Sequence, residues 1–301
     1  MAGKTGRIPR VFVPSGIHKS ELSSASLFEH LTAKSSLTLD PEQSHYLIRV
    51  LRLNADDQLI IFDGKRNDHA GKFAGFYGEY MASITRADKR ACEVSIESYQ
   101  PKYASINCLF SVALGLSKGD RLEWAIQKSV ELGVNEIVLV ANARSQVQLN
   151  EKKLSHLNGV ARAACEQSGR CEIPLIRTAQ SLAQHIESAE TAAQKLLALA
   201  DFKPDDLQLE QCYFDHRAHE TLSLWLDRLV NIGSTTKHGA PLSAKVISLA
   251  IGPEGGFSDG ERALLKDAGY VALSLGPRVL RAETAPVVAL SILQHRLGDL
   301  G

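Results

Sequence analysis

The chain has 301 residues, enough for two domains that each bury a core. Its 34 Lys and Arg residues balance 34 Asp and Glu residues, so no global field draws it to nucleic acid, and any polyanion must be met by a local patch. No stretch approaches the length of a membrane span and the N-terminus lacks an apolar signal core. The five cysteines form no CxxC pair, which argues against a zinc site or a disulfide framework and for reduced thiols in the cytoplasm.

In chain order, the first hundred residues read as short strands with one helix. That helix begins at Asp40, with Pro41 at its first position and Gln43 completing a capping box. Leu47, Val50 and Leu51 form its apolar stripe, while His45, Arg49 and Arg52 share another face at helical spacing. Leu59–Phe62 runs into a turn at Asp63-Gly64, and strands follow around Gly71–Phe76, Tyr80–Thr85 and Cys92–Tyr99. Short strands with one helix predict a small β-barrel module over residues 1–100, with a linker at Pro101 and Lys102. Arg7, Arg10, Arg49 and Arg52 are its candidate RNA-binding group.

From Ile106 onward apolar strands alternate with amphipathic helices, which implies a parallel sheet covered on both faces over residues 101–301. The expected strands are Leu109–Leu114, Ile137–Val140, Pro174–Ile176, Leu196–Ala200, Val246–Ile251 and Val271–Leu275. The first helix, Asp120 to Leu132, stops at Gly133. Asp201 to Pro241 is irregular apart from a helix near His219–Val230, and reads as an insertion or long crossover.

Two strand ends carry the functional signal. Val246–Ile251 stops in Gly252-Pro253-Glu254-Gly255-Gly256-Phe257, and Ser258 with Glu261 caps the helix that follows. Val271–Leu275 then stops in Gly276-Pro277-Arg278-Val279-Leu280-Arg281-Ala282-Glu283-Thr284, with Thr284 as the cap of the last helix. In open α/β sheets ligands lie beyond the carboxyl ends of strands, and glycine lets backbone approach a ligand closely. The first loop lacks the Lys-Ser/Thr of a P-loop and the GxGxxG of a dinucleotide fold. Arg121, Arg144 and the segment Cys165–Arg170 follow other strand ends and are candidates for a polar rim.

GPEGGFSDGE followed by LSLGPRVLRAETA resembles the 16S ribosomal RNA uracil-N3 methyltransferase family, of the SPOUT class. RIPRVFV, HYLIRVLRLNADD, LGLSKGDRLEWAIQKSVELGV, ARS and CEQSGR extend the resemblance over nearly the whole chain. It implies an N-terminal PUA-like barrel, an α/β domain threaded into a trefoil knot, and a homodimer. It also implies S-adenosylmethionine as cofactor, no metal, and 16S rRNA of the small ribosomal subunit as substrate. The expected cofactor contacts are Ile251, Gly252, Pro253, Glu254, Gly255, Gly256, Leu275, Gly276, Arg278, Val279 and Leu280. The segment 201–241 is longer than the family pattern, and Ser155-His156-Leu157 stands where an Arg-Trp pair is common.

Uracil N3 must lose its proton before it can accept a methyl group. Arg281 is therefore expected to stabilise the uracil anion, with Arg144 or Arg121 as a second cation. Glu283 is expected to act as the base or to orient Arg281. A ribose 2′-oxygen or tRNA methyltransferase of the same class, and a non-catalytic RNA-binding protein, remain as other readings.

Overall fold

The structure, a computed structural model, describes residues 8–14, 36–66, 77–102, 108–117, 119–144, 149–199, 208–233 and 245–300. Arg7 and the expected strand Gly71–Phe76 lie outside these residues. The chain divides into two compact units, Met1–Ala104 with Cys165–Ile173, and Ser105–Ala164 with Pro174–Gly301.

The first unit is a five-stranded sheet in the order β1-β3-β4-β5-β2. Its strands are β1 (Arg10–Phe12), β2 (Ser36–Thr38), β3 (Gln58–Arg66), β4 (Tyr77–Arg86) and β5 (Glu93–Lys102). β1 runs parallel to β3 and the other pairs are antiparallel. Alternating residues such as Leu59 and Ile61, Tyr80, Ala82 and Ile84, and Val94 and Ile96 fill the core, as the period of a strand requires. Two details differ from the sequence reading. Asp63-Gly64 does not end its strand, because Gly64 adopts φ +72° at a register shift and the strand continues. Pro101 and Lys102 are no linker; they pair with Gly78 and Tyr77.

Helix α1 (Pro41–His45) has the Asp40–Gln43 capping box, with Asp40 Oδ1 accepting from the Gln43 N–H at 2.8 Å. It passes into a π-helical turn, Tyr46–Val50, in which the Leu51 N–H donates to the Tyr46 carbonyl at 2.9 Å. Arg52 then sits at φ +58°. The expected helical face of His45, Arg49 and Arg52 is therefore broken by the wider turn.

The second unit is an all-parallel sheet in the order β11-β9-β10-β6-β7-β8. Its strands are β6 (Cys108–Gly115), β7 (Glu136–Val140), β8 (Leu175–Ala179), β9 (Gln208–Phe214), β10 (Lys245–Ile251) and β11 (Val271–Leu273). The helices are α2 (Asp120–Glu131), α3 (Glu151–Ser168, whose last four residues belong to the first unit), α4 (Leu182–Leu199), α5 (Leu222–Gly233), α6 (Asp259–Asp267) and α7 (Thr284–Leu297). β6 is buried along its length, as expected of a central parallel strand. No helix among the described residues is long and apolar enough to cross a membrane.

The strand expected at Leu196–Ala200 is the end of α4. Leu182, Ala189, Ala193 and Leu196 are buried at helical spacing, and the apolar cluster Leu196–Leu199 only mimics a strand. The strand that belongs there is β9, inside the segment read as an insertion. It lies between β10 and β11, so this segment is part of the sheet. Thr284 is not the cap of α7; Glu283 holds that position without a side-chain cap bond.

A buried histidine lies beneath this sheet. His185 is fully buried on α4, and its Nε2 faces the Tyr270 hydroxyl at 3.3 Å. Burial, with Arg177 adding to it, pushes its pKa down to about 4. The unfolded chain takes up a proton below about pH 6.5 that the folded protein refuses until about pH 4. Stability is thus complete above the unfolded pKa and falls as pH drops through this window. We expect a loss of about 2 kcal/mol in urea unfolding between pH 7.5 and 5 from this group. His185→Leu should flatten that dependence; an unchanged pH profile would refute the assignment.

Candidate active site at the carboxyl ends of three strands

β9, β10 and β11 end at one cleft of about 690 Å3, within the range of small-molecule sites. Every residue expected to touch a cofactor, from Ile251 to Gly256 and at Leu275, Gly276 and Arg278 to Leu280, lines it. So do Arg121, Arg144, Arg281 and Glu283, although they come from three separate segments of the chain. The strand order brings them together because β10 pairs with β6 on one side and β9 on the other.

The loop after β10 is held from several directions. A β-turn closes with the Gly256 N–H donating to the Pro253 carbonyl at 2.7 Å, and Gly256 takes φ +63°. Gly115, at the end of β6, lies so close to Pro253 that a Cβ there would stand 2.5 Å from the Pro253 nitrogen. The Arg144 guanidinium donates to the Gly255 carbonyl. Glu261 accepts from the Ser258 N–H at 2.7 Å, the Ala143 N–H at 3.0 Å and Asn142 Nδ2 at 3.2 Å. One carboxylate thus caps α6 and ties the loop after β7 to the loop after β10. Burial opposes its charge, but these N–H donors outweigh burial and hold the carboxyl below its usual range.

One end of the cleft is a small ion-pair network. Arg121 lies 3.3 Å from Glu254 and 3.9 Å from Glu283, while Arg281 lies 4.0 Å from Glu283. The Arg281 side chain is 78% exposed, whereas that of Glu283 is only 13% exposed. Glu283 Oε1 faces both arginines, and the buried Oε2 has no hydrogen-bond partner among the described residues. An unpaired buried carboxylate oxygen costs free energy unless a ligand or water satisfies it.

The opposite wall comes from β9 and was missed in the sequence. Phe214, Asp215, His216 and Arg217 line the cleft there, as do Phe257 and Arg262 from the α6 side. The signal was hidden because Gln208-Leu209-Glu210-Gln211 interrupts the apolar run expected of a parallel strand. In total six arginines (Arg121, Arg144, Arg217, Arg262, Arg278, Arg281) face three carboxylates (Asp215, Glu254, Glu283) around one cleft. Asp259, outside the lining, pairs with Arg262, so the excess of positive charge at this opening is smaller than the lining count.

The segment Cys165–Arg170 does not join this rim. It belongs to the first unit, where Glu166 Oε1 accepts from the Phe12 N–H at 2.9 Å. Arg10 is likewise no surface cation. It is buried, ion-paired with Glu79, donates to the Arg170 carbonyl at 3.1 Å and stacks over Phe62 at 4.9 Å. A guanidinium so enclosed is unavailable to phosphate, which corrects its expected RNA-binding role. Arg49 and Arg52 are exposed.

The glycine loops make a stability prediction that needs no ligand. Gly276 adopts φ +101° with open space around its Cα, so a substitution there brings strain without a clash. Gly276→Ala should cost about 1–2 kcal/mol in urea unfolding. Gly260 has equally open space and no positive φ within α6, and Gly260→Ala should stabilise by roughly 0.5 kcal/mol. Equal effects of the two changes would show that the loop backbone is not constrained as described.

The chain is similar to known proteins in sequence and fold. A family model described as the RNA methyltransferase domain matches residues 105–294, and one described as the RNA methyltransferase PUA domain matches residues 39–72. The chain is 29% identical over 265 residues to a Bacillus subtilis protein named ribosomal RNA small subunit methyltransferase E, covering 87% of this chain and 90% of the relative. A Buchnera aphidicola protein of the same name is 25% identical, with 98% of each chain covered. Among solved structures, a putative methyltransferase from Legionella pneumophila in complex with bound SAM is similar, with a TM-score of 0.73, 30% identity and coverage of 96% of this chain and 98% of that one. The Neisseria gonorrhoeae ribosomal RNA small subunit methyltransferase E, bound to S-adenosyl methionine, shares the fold at a TM-score of 0.71 and 24% identity over 98% of this chain and 100% of that one. With most of its length matched by the RNA methyltransferase domain, the chain belongs to the RNA methyltransferase family.

Proposed function

We propose that the protein methylates N3 of a uridine in 16S rRNA of the small ribosomal subunit, using S-adenosylmethionine. The observation that carries this reading is the cleft itself. Two glycine loops line it together with Glu283, whose Oε1 has Arg121 and Arg281 within 4.0 Å. The relatives' names and the cofactor in the solved structures support it.

The residues fit the cofactor. A Cβ on Gly252 would stand 3.1 Å from the backbone of Gly256 and Phe257, so the loop is already as tight as backbone permits. Gly252–Gly256 and Leu275–Leu280 would hold the cofactor through backbone groups and aliphatic contacts. When bound, S-adenosylmethionine supplies an electrophilic methyl group.

The chain's own residues prepare the nucleophile. Glu283, which lines the cleft and turns Oε1 toward Arg121 and Arg281, is the residue we assign to take the N3 proton. Arg281 and Arg121 then offset the charge that spreads to O2 and O4 of the uracil. Arg144 anchors the loop at Gly255 and is better suited to holding the site than to touching the base. N3 lies on the pairing edge, so the target base must be unpaired or turned out of its helix.

A homodimer and a trefoil threading of the C-terminal segments belong to the same reading. Half-buried Val287, Val288 and Ile292 on α7, with exposed Trp124 on α2, support a two-fold interface. The first unit would guide RNA through Arg49 and Arg52, and the place of action would be the cytoplasm.

Incubating small subunits that lack the modification with the protein and cofactor, then digesting the rRNA for mass spectrometry, tests the reaction. The expected product is 3-methyluridine; a 2′-O-methyl nucleoside, or rRNA left unmethylated, would contradict it. Glu283→Gln should lower kcat by about a hundredfold or more with cofactor affinity retained. Full kcat in that variant would remove Glu283 from the proton transfer.

A further inference from the structure

The wall contributed by β9 ends in a turn built on Asp215. Immediately after the strand, Asp215 accepts from the Arg217 N–H at 3.0 Å, from Arg217 Nε at 3.2 Å and from Arg217 Nη2 at 3.1 Å. The Ala218 N–H closes the turn on the Asp215 carbonyl at 3.0 Å. The same carboxylate lies 3.6 Å from Arg262 Nε, and Arg262 spends its other donors on the Phe257 carbonyl and on Asp259 at 2.5 Å. Asp215 itself is held from behind, because its N–H donates to the Leu273 carbonyl at 3.0 Å.

The two arginines therefore differ. Arg262 is spent inside the fold, with its side chain 22% exposed. Arg217 is fixed on one edge by a two-point pair with Asp215 but remains 53% exposed at the cleft mouth. A guanidinium has five N–H donors, and Asp215 takes two of them. What remains is a pre-oriented fork on the lining of a cleft that also carries Arg121, Arg144, Arg278 and Arg281. Planar forks of this kind match phosphate, and prior orientation lowers the entropy lost on binding.

We propose that Arg217, oriented by Asp215, is a phosphate clamp for the RNA strand that carries the target nucleotide at the mouth of the cleft. The inference rests on the RNA-methylating reading above and adds where the substrate backbone is gripped. A neutral protein with Arg10 buried has lost one expected RNA contact in its first unit, and this turn supplies one in the second. Arg217 does not touch the reacting atoms and acts as a positioning residue.

The test is binding of a 16S rRNA transcript by the full chain across a KCl titration, for wild type, Arg217→Ala and Arg217→Lys. Cofactor affinity by calorimetry and urea midpoints are measured alongside. Arg217→Ala should weaken RNA binding about tenfold and reduce the log–log salt slope by about 0.7 to 0.9, the signature of one lost phosphate contact. Arg217→Lys should keep the slope while losing part of the affinity, because the charge remains and the fork does not. Cofactor affinity and urea midpoint should not move. Wild-type slope and affinity in Arg217→Ala would overturn the proposal, as would weakened cofactor binding with RNA binding intact. If the wild type binds RNA with the expected slope difference but transfers no methyl group, the clamp stands and the functional reading fails.

Discussion

The site depends on one carboxylate. Glu261 begins as half of an ordinary capping box at the start of α6, a local device legible in any sequence with Ser258 three residues before it. Its first oxygen, however, reaches the Ala143 N–H and the Asn142 amide, which belong to the loop after a different strand. Charge-assisted bonds to several N–H donors are among the stronger interactions a folded chain can make. With Arg144 donating to Gly255 from that same loop, the glycine turn is fixed from both ends. The cleft can therefore be open and still keep its shape.

From that tie the rest follows by geometry. The parallel sheet brings the ends of β9, β10 and β11 to one edge, where connecting loops must leave room for a ligand. Gly115 lets Pro253 approach the end of β6, and Gly256 and Gly276 accept backbone angles that other residues resist. The charges then sort into two ends. Glu283, Arg121 and Arg281 form one, to which the proposed function assigns proton removal and anion stabilisation. Asp215, Arg217 and Arg262 form the other, where one arginine is structural and one faces solvent.

Much of this was legible because it is local. Capping boxes at Asp40 and Ser258, the stop at Gly133 and the two glycine loops depend on residues within a few positions of one another. What the sequence concealed depends on distant partners. Arg10 looks like a surface cation in RIPRVFV, and only the approach of Glu79, Phe62 and the Arg170 carbonyl makes it an interior one. Glu166 and Arg170 looked like rim residues of the cleft, but they bond within the first unit. β9 was missed because its polar residues broke the apolar pattern while the end of α4 imitated it. The cost of that exchange was the whole wall containing Asp215 and Arg217.

The most direct test of the account is a crystal structure of the protein grown with S-adenosylmethionine. The account predicts cofactor density against the backbone of Gly252–Gly256 and Leu275–Leu280, with the methyl group directed toward Glu283 and Arg281. Density in any other cavity, or a cofactor whose methyl group faces Asp215 and Arg217 instead, would contradict it.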